Sequence, residues 1–182
     1  RPNFDPSFVD ACTQIIGQFS TEQLFAYVVA LLLSPTYQHR YEQFLRIDFP
    51  RVALPRGREQ FLEMARLGEE AARAFTQPCE SSVRLEGRAI VDRPVYRDGV
   101  LRLGQQGAFV GLDEEVWNFR VGAYPVCAKW LKQRRGRELS VQEIADFKSL
   151  LASIVRLIDV EKQLTSLHDS ETFVAIGGVD AA

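Results

Sequence analysis

Along the chain, apolar positions recur first at helical spacing, then in alternation, then at helical spacing again. The run from Ser20 to Leu33 opens on "STEQ", a capping box in which the Ser20 hydroxyl takes a backbone N–H and Gln23 reaches back. The residues after this box are apolar on nearly every side, which predicts a buried helix. "SPTY" restarts a helix with Ser34 as cap and Pro35 at its first position. Its predicted inner stripe is Tyr37, Tyr41, Phe44 and Leu45. Two prolines in "RIDFPRVALP" then impose extended backbone. A third amphipathic helix is predicted from Arg58 to Phe75, with Phe61, Met64, Ala65, Leu67 and Ala71 or Ala72 inward.

From Ser82 to Val110 the period shortens to two, in "SVRLEGRAIV", "PVYRDGVLRLG" and "GAFVGL". Asp98-Gly99 between "VYR" and "VLRL" reads as a hairpin turn at positive φ. Helix returns at "LDEEVW", capped by Asp113, and in "YPVCAKWLKQRRG". There Val126, Cys127, Trp130 and Leu131 share one face, Lys129, Lys132 and Gln133 the other, and Gly136 is the expected stop. A second capping box, "SVQE", starts a long helix at Ser140 that runs to about Leu167. Its stripe is Ile144, Phe147, Leu151, Ile154, Leu157 or Ile158, and Leu164. The predicted class is α+β: helical over 1–80, a small antiparallel β region over 81–111, helical again over 112–168 with one long helix, and a tail over 169–182.

Composition adds bounds. With 182 residues, 46% apolar and 25% charged, the chain can bury one sizeable core. The longest apolar stretch, "LFAYVVALLL", is too short to span a bilayer, and no signal peptide precedes it. No membrane partner is expected, and a cytoplasmic location is the default. Met64 is the only methionine and Arg1 the first residue, so a piece of a larger polypeptide is expected. Cys12, Cys79 and Cys127, odd in number and widely spaced, read as buried apolar residues in a reducing compartment.

Catalytic constellations are missing from the sequence. It contains no GxxxxGK[ST] or GxGxxG loop, no CxxC, no HExxH and no GxSxG. His39 and His168 read as ordinary surface or helix-end residues, and the acids at 113–115 as a helix start favouring negative charge. No metal site, no cofactor and no activity are expected of this chain alone.

Charge changes the picture. The net charge is −2, yet Lys129–Arg137 holds five cations and no acid. Residues 81–102 carry Arg84, Arg88, Arg93, Arg97 and Arg102 against three acids, whereas the segment from Glu138 onward has eight acids and three bases. A polyanion would meet only the basic face, so an acidic average does not exclude nucleic acid. The bland alternative is a soluble helix end whose cations complement the macrodipole.

Two stretches sharpen this. "SPTYQHRYEQFLRIDFPRVALP" (34–55) and "VWNFRVGAYPVCAKWLKQRRGRELSVQEI" (116–144) resemble the carboxyl-terminal specificity region of Type ISP restriction–modification enzymes. The resemblance includes Trp117, Trp130 and the Asp-Phe-Pro-Arg run, and with the intervening part it spans most of residues 20–165. Ala123 and Pro125 depart from the family pattern, which has glycine and glutamine there, and the strand region between the blocks matches nothing specific.

The resemblance implies a single target-recognition domain that positions duplex DNA for adenine methylation by a separate catalytic domain of the same polypeptide. S-adenosylmethionine would be bound there, not here. Lys129, Lys132, Arg134, Arg135 and Arg137 are then expected on phosphates. Arg84, Arg88, Arg97 and Arg102 are groove candidates, of which alternation lets about half face DNA. Asn118 or Arg120 could reach a base edge beside Gly122, or Trp117, Phe119 and Tyr124 could form a buried turn. Arg51 is a further candidate. Two rival readings stand: a docking module for a methyltransferase or helicase that touches no DNA, and a small hydrolase with a Cys or Ser nucleophile.

Overall fold

The computed structural model describes residues 4–78 and 80–169. Cys79, the 170–182 part of the predicted tail and the side chain of His168 lie outside the described residues. The chain divides into two compact units, one built from the residues up to Thr76 together with those from Asp159 onward, the other from Gln77–Ile158.

The first unit is helical. α1 (Pro6–Ile16) precedes the first helix expected from sequence; Asp5 caps it and Pro6 sits in its first turn, so its start signal was present in "DPSF". α2 (Thr21–Leu33) carries the complete capping box of Ser20 and Gln23. It is buried through Leu24, Ala26, Tyr27, Ala30 and Leu31, but Phe25 stays exposed. Buried Ser34 ends α2 through its N–H to Ala30 and caps α3 (Pro35–Arg40) through its hydroxyl.

The helix predicted to continue past Tyr41 breaks there, and α4 (Glu42–Leu45) has no side-chain cap. The break overturns part of the expected stripe: Tyr37 is buried and Tyr41 lies 4.9 Å from it, but Phe44 is exposed. The extended segment after α4 is pinned by two phenols, since Tyr37 donates to the Arg51 carbonyl (2.7 Å) and Tyr27 to that of Ala53 (2.9 Å).

α5 (Arg58–Thr76) packs on α2. Gly68 makes the approach possible, because a Cβ there would stand 1.8 Å from the Ala26 carbonyl oxygen. Around it Phe61, Met64, Leu67 and Ala71 are buried, with Phe61 5.4 Å from the Tyr27 ring.

In the second unit, the segment expected as one strand divides into β1 (Arg84–Gly87) and β2 (Ile90–Val91), with Gly87 at positive φ. β3 (Val95–Arg97), β4 (Val100–Arg102) and β5 (Gly107–Val110) complete an antiparallel sheet in the order β1-β5-β4-β3. Asp98 and Gly99 both take positive φ (47° and 80°) in the two-residue turn, as the sequence predicts.

After the sheet come α6 (Glu114–Asn118), capped by Asp113, and a two-residue hairpin of β6 (Arg120–Val121) and β7 (Tyr124–Pro125). α7 (Val126–Lys132) leads through a turn closed by Gly136 into β8 (Arg137–Glu138), which pairs with β2. α8 (Val141–Asp169) is the predicted long helix.

The core of this unit includes Leu101, Phe109, Cys127, Leu131, Phe147 and Leu151. Phe147 of α8 meets Phe109 of the sheet at 5.1 Å and Trp130 of α7 at 4.8 Å. The order of elements is that of an α+β protein. Among the described residues no single helix is long and apolar enough to cross a membrane, though α1 and α2 reach that composition together across a 93° bend.

Candidate nucleic-acid interface

Alternation along the strands sorts the sheet into two faces. Leu85, Tyr96, Leu101 and Phe109 are in register and face the core. On the other face one row across the sheet is Arg84, Val110, Val100, Arg97, and the next is Glu86, Ala108, Arg102, Val95. Arg84, Arg97 and Arg102 are exposed on this face and make no side-chain bond or ion pair among the described residues.

Arg88 behaves differently. It falls in the break between β1 and β2 and gives two hydrogen bonds to Glu138, at 2.6 and 3.2 Å. That pair links the end of the β1 segment to β8 and holds the Glu138 carboxyl below its usual range.

The basic run also divides. Arg137 lays both terminal nitrogens on the Glu143 carboxylate, at 2.7 and 2.5 Å. Arg134 donates to the same carboxylate at 3.1 Å and to the Trp130 carbonyl at 3.0 Å, with its guanidinium 3.6 Å from the Trp130 ring centre. Glu143 simultaneously closes the predicted capping box with Ser140. These donors, Arg137 above all, depress its pKa strongly.

Three cations remain outward. Lys132 is exposed and has no side-chain partner among the described residues. Lys129 extends over the Tyr124 ring at 5.8 Å. Arg135 reaches Asp92 only at 3.8 Å, both groups being more than half exposed, a contact of little energetic consequence.

The Gly122-Ala123 turn is not buried. Val121 and Tyr124 are exposed, whereas Trp117 and Phe119 are half-buried against the core. Gly122 adopts positive φ with open space where a Cβ would stand, so turn geometry accounts for it within the chain. Asn118 is exposed at the end of α6, and Arg120 is exposed with a long 3.5 Å bond to the Ala123 carbonyl. Arg51 is exposed in the other unit, where its carbonyl accepts from Tyr37 and its side chain has no partner among the described residues.

Beside Arg51 the structure shows what periodicity missed: Phe44, Ile47 and Phe49 are 65%, 83% and 89% exposed. The spacing gave no warning, since Leu45, Ile47 and Phe49 alternate with Arg46 and Asp48 as in a half-buried strand, yet no strand forms there.

Nucleophilic chemistry gains no support. Cys12 and Cys127 are buried, and burial pushes their thiols up to about 11 and about 12. Among the described residues no three His, Cys, Asp or Glu side chains converge as metal ligands would.

No curated protein matches the chain. Among solved structures it is similar to the DNA-bound, ATP-dependent Type ISP restriction–modification enzyme LlaBIII at 17% identity and a TM-score of 0.58, over 91% of this chain and 12% of that one. Similarity to the DrdV–DNA complex reaches a TM-score of 0.69 at 20% identity, over 94% and 20% of the two chains. For a nuclease-deletion mutant of the Type ISP enzyme LlaGI with a DNA substrate mimic, the values are 0.54 and 19%, over 85% and 14%. The chain therefore spans about an eighth to a fifth of these proteins and shares their fold. The model of the Type ISP C-terminal specificity domain matches residues 1–162, and the chain belongs to that family.

Proposed function

We propose that residues 1–182 are one target-recognition domain of a longer restriction–modification polypeptide, acting on DNA in the cytoplasm. The domain recognises a short duplex sequence and positions it for adenine methylation by a separate domain. S-adenosylmethionine is the methyl donor that separate domain would hold. The chain itself binds and does no chemistry.

The observation that carries this reading is the outward face of the sheet. Arg84, Arg97 and Arg102 stand there without internal partners, around Val95, Val100, Val110 and Ala108. An arginine fork matches the guanine edge, and small apolar groups suit the thymine methyl. Three inter-strand spacings put the Arg84 and Arg97 backbones about 14 Å apart, which is roughly four base-pair steps. Lys129, Lys132 and Arg135 are the phosphate anchors, with Arg51, Asn118 and Arg120 as secondary contacts. Arg88, bonded to Glu138, has a structural role.

Selection from a random-sequence duplex pool at two salt concentrations tests this. An enriched short motif supports target recognition. Salt-sensitive binding without a motif would leave only a clamp, and no binding at either salt would refute the reading. The exposed Phe44, Ile47 and Phe49 favour a second reading, in which the domain docks on a protein partner and touches no DNA; the same selection separates the two.

A further inference from the structure

We infer that Glu143 is a positioning residue for DNA recognition: it withholds Arg134 and Arg137 from phosphates and so keeps sequence-independent affinity low. The inference rests on the DNA-binding reading above.

A carboxylate offers about four lone-pair sites, and on Glu143 four donors occupy them. Oε1 accepts from Arg134 Nε and one Arg137 nitrogen; Oε2 accepts from the other Arg137 nitrogen and the Ser140 N–H. The fork that Arg137 makes here uses the two terminal nitrogens it would turn on a phosphate, and the carboxylate offsets the charge a phosphate would meet, so the two engagements compete. The Arg137 side chain is 51% exposed and that of Glu143 only 19%. The cation therefore stands at the surface, within reach of a passing backbone, while the group that restrains it is sheltered. Arg134 is held more tightly, with its side chain 23% exposed and further contacts to the Trp130 carbonyl and ring.

Two of the five cations in the run are thus committed inside the fold. A phosphate contact carries no sequence information, so each added one strengthens binding to every duplex alike. Glu143 limits that sequence-independent term while its cap on α8 keeps the turn before the helix in shape.

The test uses Glu143→Gln, which keeps the size and an oxygen for the Ser140 N–H but loses the charge. Binding is measured with random-sequence duplex across a salt series, and with the duplex selected by the unchanged protein. The log–log salt slope should steepen by about 1 to 2, so the affinity lost between 50 and 200 mM salt should grow roughly threefold per gained contact. Affinity for the random and the selected duplex should rise by the same factor, leaving the preference for the selected one unchanged.

Arg137→Gln alone should leave both affinity and slope unchanged, and in the Glu143→Gln background it should reverse part of the steepening. A purely structural role for Glu143 would weaken binding without steepening it. A partly unfolded variant would likewise scale the apparent affinity and leave the slope where it was.

The inference is overturned if Glu143→Gln does not steepen the slope, or if Arg137→Gln alone flattens it by about one. Those outcomes leave DNA binding by the unchanged protein standing. Failure of the unchanged protein to bind any duplex would remove both readings together.

Discussion

Arg137 and Glu143 face each other through two parallel hydrogen bonds, 2.7 and 2.5 Å long, across the turn that joins β8 to α8. The contact ties a basic segment to a helix start. Because Glu143 also accepts the Ser140 N–H, one carboxylate serves both the electrostatics of the surface and the first turn of a 29-residue helix.

That relationship has a pH signature. The Glu143 carboxyl is held far below its ordinary value, chiefly by the Arg137 fork, whereas a glutamate in the unfolded chain titrates at about 4.3. A depressed folded-state pKa means the unfolded state binds more protons, so stability increases with pH in that range. The contribution is complete above about pH 5 and is lost as pH falls through the ordinary carboxylate range and below it. Urea midpoints measured from neutral to acid pH should therefore fall less steeply for Glu143→Gln than for the unchanged protein. Parallel curves would show that the contact contributes nothing net.

Replacing a base-reading arginine has a different consequence from replacing a phosphate anchor. Arg97→Gln or Arg102→Gln should relax preference at one position of the selected motif, at a cost of about 1–3 kcal/mol for the preferred duplex. Affinity for random duplex should hardly change. Competition among single-position variants of the motif reads this out, and a uniform loss over all variants would move these arginines to the phosphates.

Lys129→Gln, Lys132→Gln and Arg135→Gln together should weaken binding to every duplex alike. Three lost contacts flatten the log–log salt slope by about 2.7. An unchanged slope would return this part of the run to the role of a solvated helix end.

In the first unit, Gly68→Ala tests the packing of α5 on α2. The added methyl meets backbone rather than a movable side chain, at 1.8 Å from the Ala26 oxygen. Overpacking of this kind costs about 1–3 kcal/mol or more, even though alanine is the better helix former by about 1 kcal/mol. Thermal unfolding should move to lower temperature; a gain in stability would mean the helices part easily.

Core truncation in the second unit should be costlier. Phe147→Ala removes the ring that meets both Phe109 and Trp130, at about 3–5 kcal/mol. Because Trp130 carries the Arg134 guanidinium on its face, tryptophan fluorescence should change together with stability.

The sequence by itself determined whatever depends on neighbours a few residues apart. The capping boxes at Ser20 and Ser140, the Asp98-Gly99 turn, the inward stripe of α5 and the alternation of β3 and β4 were all legible. Each is decided by backbone geometry and side-chain period within a turn or a pair of strands. The family resemblance of residues 34–55 and 116–144 was legible too, and the family match over residues 1–162 agrees with it.

Tertiary structure alone decided which charges are available. In sequence, Arg134 and Arg137 differ in no way from Lys132 and Arg135; only the folded chain gives the first two a shared carboxylate. Arg88 finds Glu138 fifty residues away because β2 pairs with β8. Such pairings carry no local signal, since they depend on how the core brings distant strands together. The same holds for Arg84, Arg97 and Arg102, which share a face only because β1, β5, β4 and β3 align in one register. Local chemistry set the elements, and long-range packing set which side chains were left to meet a partner.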